Sequence, residues 1–491
     1  MNASIGWPQG AQARRRAPAS DWLIPVLLGA AIAGLLVAEV LWMRGLSLRW
    51  LAPRLGGVAP PVLVLLMIVL GLATLFLATA GRSWLPDPGF RLIFLLLVPT
   101  QLVGFSLGNI EPLKICLLAT VACWLIQSMA HNRSVRLYPP FLMMWLVILI
   151  FSTASIVNGL VTSMLSQYSI LAKFLMFFIV ANVVRTPSQL LYAARLLVAL
   201  GVMSAILAVV QEAIFYFLQI PLSLDDNASK YWFKETPIGW MIRATGFHPT
   251  SQNLSHFLLI TCALLLVGPF SRRQRFWGGL VMGIGVFFTF SGNGLLVLGV
   301  VLFLVPIFRR PAITLHYLSI VLLLILLAYE SGLLEFVYHK YLLPLSGKSA
   351  EDRIELLQLG LEVIGRHPVV GIGLNNFGRL SPQPVHNAYM QLITEIGVIP
   401  GVLLVLILAL IFVRLLIGLR SMPPGPLLQS GKAVLLALTG LALHFMFEPF
   451  INSLVSWSII GFAEATALLL YANKQTTPGC ESATLSPARS P

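Results

Sequence analysis

The chain has 491 residues, of which 58% are hydrophobic and only 10% are charged, and its mean hydropathy is +0.88. A soluble surface needs roughly 25–35% charged residues, so this composition excludes a soluble globular protein, a disordered chain and a disulfide-rich secreted scaffold. What remains is a membrane protein with several spans, carrying 32 Lys and Arg residues against 18 Asp and Glu residues, a net charge of +14.

Apolar runs recur along the whole chain, and each is long enough to cross a bilayer, which takes roughly 17–25 residues. The runs are continuous and rich in leucine, without the two-residue alternation of a membrane β-barrel. We therefore expect an all-α polytopic integral membrane protein with about 12–14 transmembrane helices. The predicted runs are 22–43, 60–80, 91–108, 112–129, 139–158, 167–184, 189–219, 252–270, 274–290, 293–308, 312–329, 396–418, 432–450 and 453–472.

Two features of these runs leave alternatives open. The first run follows Arg14, Arg15 and Arg16 as a signal peptide would. It is longer than the roughly 7–15 residues of a signal-peptide core, so we expect an uncleaved first helix. The runs 274–290 and 293–308 are short and share one polar break at residues 291–294, so the helix count there is open.

The placement of Lys and Arg predicts that both termini are cytoplasmic. With this orientation most basic loop residues are cytoplasmic, namely Arg82, Arg133, Arg136, Arg185, Arg272, Arg273, Arg275, Arg309, Arg310, Arg420 and Lys432. One loop, at 44–59, disagrees, because Arg44, Arg49 and Arg54 would lie outside. Most of the positive surplus is then explained by topology and does not indicate a nucleic-acid partner.

This topology divides the chain into seven segments. They are a disordered cytoplasmic N-terminus at 1–21, N-terminal transmembrane helices at 22–219, a periplasmic loop at 220–251, central transmembrane helices at 252–329, a large periplasmic loop at 330–395, C-terminal transmembrane helices at 396–472 and a disordered cytoplasmic tail at 473–491. We expect function to concentrate in the two long outer loops, because polar loops on a rigid scaffold often carry it.

No motif typical of a metal or cofactor site occurs in the sequence. The four cysteines, at positions 116, 123, 262 and 480, lack zinc-site spacing. The segment 425–433 mimics a phosphate-binding loop, but its glycines are too far apart and Ala433 replaces the required Ser or Thr. We therefore expect neither a metal nor a cofactor.

Within the large outer loop, apolar residues recur at helical spacing from Asp352 to His367, before Pro368. Four polar residues share one face of this helix: Glu355, Gln358, Glu362 and Arg366. Three apolar residues lie opposite: Leu357, Leu361 and Ile364. This pattern predicts an amphipathic helix near the outer membrane surface. Arg353 falls on the apolar side of this helix. Its structural interpretation is an ion pair with Asp352 or extension of the guanidinium to the membrane surface. Its functional interpretation is that the guanidinium binds an anionic ligand through two parallel hydrogen bonds.

Two more side chains are candidates at the outer side. Arg243 follows an apolar stretch and is either a snorkelling residue or a second phosphate clamp. His386, followed by Asn387, opens a span; it is either a helix-end histidine bonded to backbone or a general base, because imidazole titrates near neutral pH. Glu395 is expected to orient the helix after His386 rather than to react. For two other histidines, His248 and His256, we favour a structural role, a bond to backbone, over a catalytic role.

Charged residues within the predicted spans are secondary candidates. Lys173 and Glu212 lie at similar depth on consecutive helices, which favours a buried ion pair over a functional role. His444 and Glu448 are four residues apart on one helical face, so they either line a cavity or bond each other.

The order of these motifs resembles the O-antigen ligase and Wzy-type polymerase family of bacterial envelope glycosyltransferases. The motifs are Arg243-Ala-Thr-Gly246 before Pro249 and Asn253, the polar break, Asp352-Arg353, the block from His367 to Phe377 with Gly371-Ile-Gly373, and His386-Asn387-Ala388-Tyr389 with Glu395-Ile-Gly397. The resemblance covers roughly residues 240–420. It departs from the family at the break, where a Ser-Arg pair is common and this chain has Ser291-Gly292-Asn293.

The resemblance implies a helical enzyme of the bacterial inner membrane whose periplasmic loop covers a cavity. Its donor would be a glycan linked to undecaprenyl diphosphate, with His386 as the catalytic residue and Arg243 and Arg353 holding the diphosphate. Such a reaction needs no metal and inverts the anomeric centre. Further partners would be membrane lipids and a glycan or lipid A–core acceptor.

Three functions are considered for this membrane protein: a polymerase, a ligase and a transporter. We favour an O-antigen or exopolysaccharide polymerase, because the chain has extra N-terminal helices. A ligase that transfers the glycan to lipid A–core, in lipopolysaccharide synthesis, is the alternative. A transporter of lipid-linked sugars is a further alternative, but it predicts paired repeats with interrupted helices, for which the sequence gives no clear sign. A non-catalytic scaffold would not need His386 and two outer arginines.

Overall fold

The computed structural model describes residues 88–102, 112–130, 134–158, 160–218, 233–236, 239–310, 312, 314–332, 335, 343–381, 383, 385–449 and 453–475. Contacts divide the chain into Met1–Arg82 and Ser83–Pro491, and the described residues all lie in the second part. Several predicted features lie outside the described residues: the segment 1–21, the runs 22–43 and 60–80, the loop with Arg44, Arg49 and Arg54, and residues 476–491.

Helices account for most of the described residues. In chain order they are α1 (Pro88–Leu97), α2 (Pro112–Ala130), α3 (Pro139–Ala154), α4 (Leu160–Val183), α5 (Pro187–Leu218), α6 (Ser251–Val267), α7 (Arg272–Phe288), α8 (Gly292–Arg309), α9 (Thr314–Glu330), α10 (Leu343–Arg366), α11 (Ala388–Ile396), α12 (Val398–Arg420), α13 (Pro426–Phe445) and α14 (Leu454–Gln475). Short 3₁₀ segments lie at Val98–Leu102, Ser155–Asn158 and Phe377–Arg379. Each predicted run from 91–108 onward overlaps one of these helices.

Among the described residues, six helices are long and apolar enough to cross a membrane, judged by length and composition. They are Leu113–Ala130 within α2, α5, α8, α12, α13 and Leu454–Asn473 within α14. Shorter apolar stretches occur at Gly89–Gln101, Pro139–Ala154, Ser169–Val183 and Ser251–Val267. The all-α, multi-pass class is confirmed at this level, whereas the total of about 12–14 spans stays a prediction.

The segment between α5 and α6 contains an antiparallel hairpin that the sequence did not predict. Strand β1 (Phe233–Thr236) pairs with β2 (Gly239–Ile242), with Phe233 opposite Ile242 and Thr236 opposite Gly239. The second strand leads directly into the segment with Arg243, so the hairpin sets the direction from which that arginine approaches the helices.

Helix α6 lies at the centre of the packing. It contacts α5, α7, α8 and α13, and 14 of its 17 residues are buried. Small residues bring its neighbours close, since a Cβ on Gly201 of α5 would overlap Thr261. Close backbone approach at small residues is how membrane helices associate when apolar surface alone gives no driving force.

A buried ion pair joins α12 to α14. Nη1 of Arg414 donates to both carboxylate oxygens of Glu464, at 2.6 and 2.5 Å. Its guanidinium carbon also lies 4.4 Å from the ring centre of Tyr138. A charged residue within a membrane helix needs such a partner, and the sequence had not indicated this one.

The polar break after residue 288 is a sharp turn between two helices. Phe290 adopts a left-handed conformation, with φ of 45°. The hydroxyl of Ser291 then accepts from the backbone N–H of Gly294 at 3.3 Å and caps α8. The runs 274–290 and 293–308 are thus the separate helices α7 and α8, which resolves the open count at this point.

The loop that follows α10 returns to pair with the end of α11. Ile372 N–H donates to the Thr394 carbonyl at 3.0 Å, Gly373 N–H to the Glu395 carbonyl at 2.9 Å, and Val398 N–H to the Pro368 carbonyl at 2.9 Å. Two of the sequence motifs, 371–373 and 395–397, are therefore in direct backbone contact. Helices α10 and α11, which flank the candidate site, are held together by this contact.

Candidate functional site

Arg243 is fixed by the helices around its loop. The side-chain oxygen of Gln211, on α5, accepts from the backbone N–H groups of Thr245 at 3.0 Å and Gly246 at 2.8 Å. Ala244 N–H donates to the Phe288 carbonyl at 3.0 Å, and Nε of Arg243 donates to the Thr289 carbonyl at 3.3 Å. Arg243 therefore sits against the end of α7, beside the polar break.

Arg353 lies on the face of α10 that docks on the rest of the protein. Among the residues of this helix whose side chains are described, Leu356, Gly360 and Val363 are buried, and they share a face with Arg353. Leu357 and Leu361 of the predicted apolar face are not covered by protein, so the prediction that this face meets the membrane surface stays a prediction. The docking partner decides the face: a Cβ on Gly360 would lie 3.2 Å from Met390 of α11, so the smallest residue faces that helix.

His386 is positioned by the start of α11. Asn387 caps this helix, since its side-chain oxygen accepts from Met390 N–H at 3.0 Å. Its amide nitrogen donates to the Met446 carbonyl at 3.3 Å, in the turn after α13. Asn387, a secondary candidate from the sequence, thus ties the segment with His386 to the segment with Glu448.

Glu448 stands between the other candidates. Its Oε1 accepts from Nδ2 of Asn293 at 2.9 Å and lies 3.7 Å from Nη2 of Arg353. Its Oε2 lies 3.6 Å from Nδ1 of His386. Asn293 completes the arrangement, because its Oδ1 accepts from Nη1 of Arg353 at 3.1 Å. Of the alternatives left open for Arg353, pairing with Asp352 is not the arrangement seen, since its guanidinium contacts Asn293 of α8 and Glu448 in the turn after α13.

The electrostatics of the cluster keep Glu448 ionised. Burial by itself raises the pKa of its carboxyl, but its interactions with His386, Arg353 and His444 outweigh burial, so the pKa lies below its ordinary value. Burial lowers the pKa of Arg243, and the charge of Glu448 opposes that effect. Two guanidinium groups therefore share the field of one buried carboxylate.

His444 and Glu448 do not bond each other through their side chains. Nδ1 of His444 lies 2.8 Å from Nδ1 of His256, whose Nε2 lies 3.0 Å from the Ser456 hydroxyl. Glu448 contacts His444 through the backbone, donating its N–H to the His444 carbonyl at 3.1 Å. The two residues are four apart in sequence, but α13 ends at Phe445, so Glu448 lies in the turn beyond the helix.

Two other histidines lie inside the protein. His256 packs against His444 with nearly parallel rings. His248 is 2% exposed beside Phe257, and burial lowers its pKa to about 3, so it is neutral at physiological pH. The surroundings of both rings agree with the structural interpretation that the sequence favoured.

The predicted ion pair between Lys173 and Glu212 is wrong. Lys173 is attracted by Glu395, on α11, rather than by Glu212. Both residues are buried, but depth along consecutive helices does not tell which faces meet. Glu395 also accepts from Nε2 of Gln391 at 3.1 Å. Burial raises the pKa of the Glu395 carboxyl, against the effects of Gln391 and Lys173. These contacts anchor α11, as expected for an orienting residue.

An apolar cavity of about 480 Å³ opens beside the cluster, between α11, α12 and α13. Its lining residues are Asn387, Tyr389, Met390, Ile393, Phe412, Thr439, Ala442, Leu443 and Met446. Asn387 belongs to this lining and follows His386 directly in the chain, so the cavity lies near the polar cluster.

Sequence reasoning missed two residues of the site, Gln211 and Asn293. Gln211 gave no signal, because a lone Gln in an apolar helix has no pattern. Asn293 was noticed only as part of the polar break, where the structure gives it the bridge between Arg353 and Glu448. Within the described part of the chain, no group of three or more His, Cys, Asp and Glu residues is arranged to bind a metal ion.

No protein-family model matches the chain, and no curated protein matches it. The resemblance to envelope glycosyltransferases therefore stays a prediction, which depends on the residues described above.

Proposed function

We propose that this protein is an inverting glycosyltransferase of the bacterial inner membrane that acts at the periplasmic face on glycans linked to undecaprenyl diphosphate. One observation carries the proposal. Arg353 and His386, singled out from different segments of the sequence, lie within 4 Å of Glu448, whose charge also acts on Arg243. The nearby apolar cavity between α11, α12 and α13 adds support, because a lipid-linked donor presents an apolar chain next to its charged group.

The residues supply the chemistry that such a transfer requires. His386 accepts the proton of the acceptor hydroxyl while the hydroxyl oxygen attacks the anomeric carbon. The bond between that carbon and the diphosphate oxygen breaks, and undecaprenyl diphosphate leaves with the bonding electrons. Arg243 and Arg353 stabilise the leaving anion, an effect that is large where water is excluded. Attack from the side opposite the diphosphate inverts the anomeric centre.

The net charge of the cluster suits an anionic donor. The two arginines contribute two positive charges and Glu448 contributes one negative charge, so the site keeps one positive charge while His386 is neutral. A diphosphate entering the site would find guanidinium groups that are already held in place by Asn293 and by the Thr289 carbonyl. Such preorganisation reduces the ordering cost of binding.

The reaction that we propose is polymerisation, in which one lipid-linked repeat is transferred to another. The test uses the purified protein in nanodiscs, given a lipid-linked single repeat extracted from the source bacterium and no lipid A–core. Growing chains support the polymerase. Transfer only after lipid A–core is added replaces it with the ligase reaction. Absence of transfer to either acceptor overturns the enzyme proposal, and movement of intact donor across a vesicle membrane would favour a transporter.

His386→Ala is expected to lower the transfer rate by about 10²–10⁴-fold, the usual contribution of a general base. His367→Ala is the matched control, since His367 lies in the same outer segment and is exposed. Both variants are compared by rate of product formation and by elution as folded protein from a sizing column. Full activity of His386→Ala, or an equal loss in His367→Ala, contradicts the assignment.

A further inference from the structure

Glu448 is a buried carboxylate at the meeting point of four segments. It is 5% exposed and lies in the turn after α13. The groups that face it are Asn293 from α8, Arg353 from α10, His386 from the segment before α11, and the charges of His444 and Arg243. A buried charge is costly unless it is paired and hydrogen-bonded, so its presence here calls for a specific role.

The two oxygens of Glu448 have separate partners. Oε1 faces the amide of Asn293 and the guanidinium of Arg353, which also bond each other. The carboxylate is therefore held by a closed set of three polar groups and cannot turn without breaking the contact with Asn293. Oε2 is left pointing towards the imidazole of His386.

The ring of His386 matches this orientation. Its Nδ1 is buried and has no hydrogen-bond partner among the described residues, while 23% of the side chain is exposed. The distance from Nδ1 to Oε2 is 3.6 Å, about 0.4 Å beyond a normal hydrogen bond. Catalytic hydrogen bonds in sites without substrate are often long and shorten when substrate binds.

We propose that Glu448 is a positioning residue that holds His386 in the tautomer protonated at Nδ1. The carboxylate is an acceptor, so the nitrogen facing it carries the proton and Nε2 keeps its lone pair. A base needs that free lone pair on the side of the acceptor hydroxyl, and a carboxylate behind the ring also stabilises the imidazolium that forms. The catalytic meaning rests on the proposed function; the tautomer does not.

The tautomer is measured by ¹⁵N NMR of the full-length protein labelled at histidine and reconstituted in nanodiscs at pH 7.5. His386→Asn assigns the His386 signals among those of the eight histidines. We expect a protonated, pyrrole-type Nδ1 and an unprotonated, pyridine-type Nε2 in the wild type. Free histidine prefers the opposite tautomer, so a wild-type His386 protonated at Nε2 overturns the proposal without any variant.

Substitution of Glu448 tests whether its carboxylate determines the tautomer of His386. Glu448→Ala is expected to shift His386 towards the Nε2-protonated form, whereas Glu362→Ala leaves the signal unchanged, since the exposed Glu362 pairs with Arg366 on the same helix. If Glu448→Ala does not fold, Glu448→Asp serves instead: it keeps the charge but shortens the side chain, and a mixture of tautomers is expected. An unchanged tautomer in a folded Glu448→Ala variant refutes the role of the carboxylate.

Kinetic measurements distinguish the positioning role of Glu448 from the proposed glycosyltransferase activity. With the lipid-linked repeat as donor, Glu448→Gln is expected to lower kcat by about 10²-fold with a smaller change in KM, and Glu448→Asp to restore part of the rate. A loss confined to KM contradicts a positioning role for the base. If the wild type shows the expected tautomer but transfers no glycan, the proposed function fails while the positioning of His386 by Glu448 stands.

Discussion

Replacing Gly397 by alanine tests the contact that joins the two loop motifs beside the site. Gly397 has φ of 96° and ψ of 168°, a backbone conformation that is essentially restricted to glycine. A Cβ built there would lie 2.0 Å from the carbonyl oxygen of Val369 and 2.6 Å from its carbonyl carbon. The substitution therefore adds backbone strain and also a clash with main-chain atoms that cannot rotate away.

The structure sets the size of the effect. A non-glycine residue in such a conformation costs about 1–3 kcal/mol. Relieving the clash requires residues 368–370 to move away, which breaks the hydrogen bond from Val398 N–H to the Pro368 carbonyl. Pro368 is exposed and Val398 partly buried, so loss of this hydrogen bond costs about 0.5–1.5 kcal/mol. We expect the two effects together to destabilise the protein by about 1.5–4.5 kcal/mol.

The assay is thermal denaturation of the detergent-purified protein, followed as the fraction that still elutes as folded monodisperse protein after heating. The apparent melting temperature of Gly397→Ala should fall by about 5 °C or more. Gly365→Ala is the matched control: Gly365 is exposed on α10 and a Cβ there meets no atom within 4 Å. Its melting temperature should be unchanged or slightly higher, because alanine favours a helix over glycine.

Two results would refute the reasoning. A Gly397→Ala variant that melts with the wild type would mean that residues 369 and 397 are not in contact. Equal losses in both variants would mean that any added methyl group in this region destabilises the protein, whatever it touches.

Two further predictions concern the support of the arginines. Gln211→Leu removes the acceptor of the Thr245 and Gly246 N–H groups, so we expect these two amides to exchange hydrogen faster by about tenfold or more. The control Gln252→Leu, at a partly exposed residue, should leave their exchange rates unchanged. Exchange rates in Gln211→Leu equal to those of the wild type would contradict the contact. The pKa of Glu448 is lowered in the folded protein, so the stability that its charge contributes is present above the ordinary carboxyl value of 4.5 and is lost as pH falls through the lower folded-state pKa. We correct the hydrogen-exchange rates for the intrinsic pH dependence of amide exchange. The corrected rates of the α10 amides from 353 to 363 should stay constant between about pH 7 and 5 and rise only below that range. In Glu448→Gln this rise at low pH should be absent.

The positions of the helices and of the polar break follow from the sequence alone. A bilayer leaves no solvent partner for the backbone, so a continuous apolar run of sufficient length must become a helix. The break at 291–294 interrupts such a run with a capping serine and two glycines, and α7 and α8 divide there. The same reasoning could not find the hairpin at 233–242 or the Arg414–Glu464 pair, which depend on partners that are distant in sequence.

Some residues of the candidate site could be predicted from the sequence, but their contacts with one another could not. Arg353 stood out because it falls on the apolar side of a predicted helix, Arg243 because it follows an apolar stretch, and His386 because it opens a predicted span. Their relation to one another was not visible, since the residues that connect them are distant in sequence: Asn293 lies 60 residues from Arg353 and 155 residues from Glu448. Glu448 was expected either to line a cavity with His444 or to bond it, because helical periodicity shows only neighbours on the same helix.

Tertiary structure alone decided which faces meet. On most of these helices apolar residues cover the whole circumference, so periodicity does not mark an inner face. The charge that acts on Lys173 is therefore that of Glu395 rather than that of Glu212. The sequence determined that this is a chain of apolar helices with polar residues in the segments between them. Packing determined that Arg353 and His386 share one carboxylate, because only side-chain volume and hydrogen-bond geometry select one arrangement among many equally apolar surfaces.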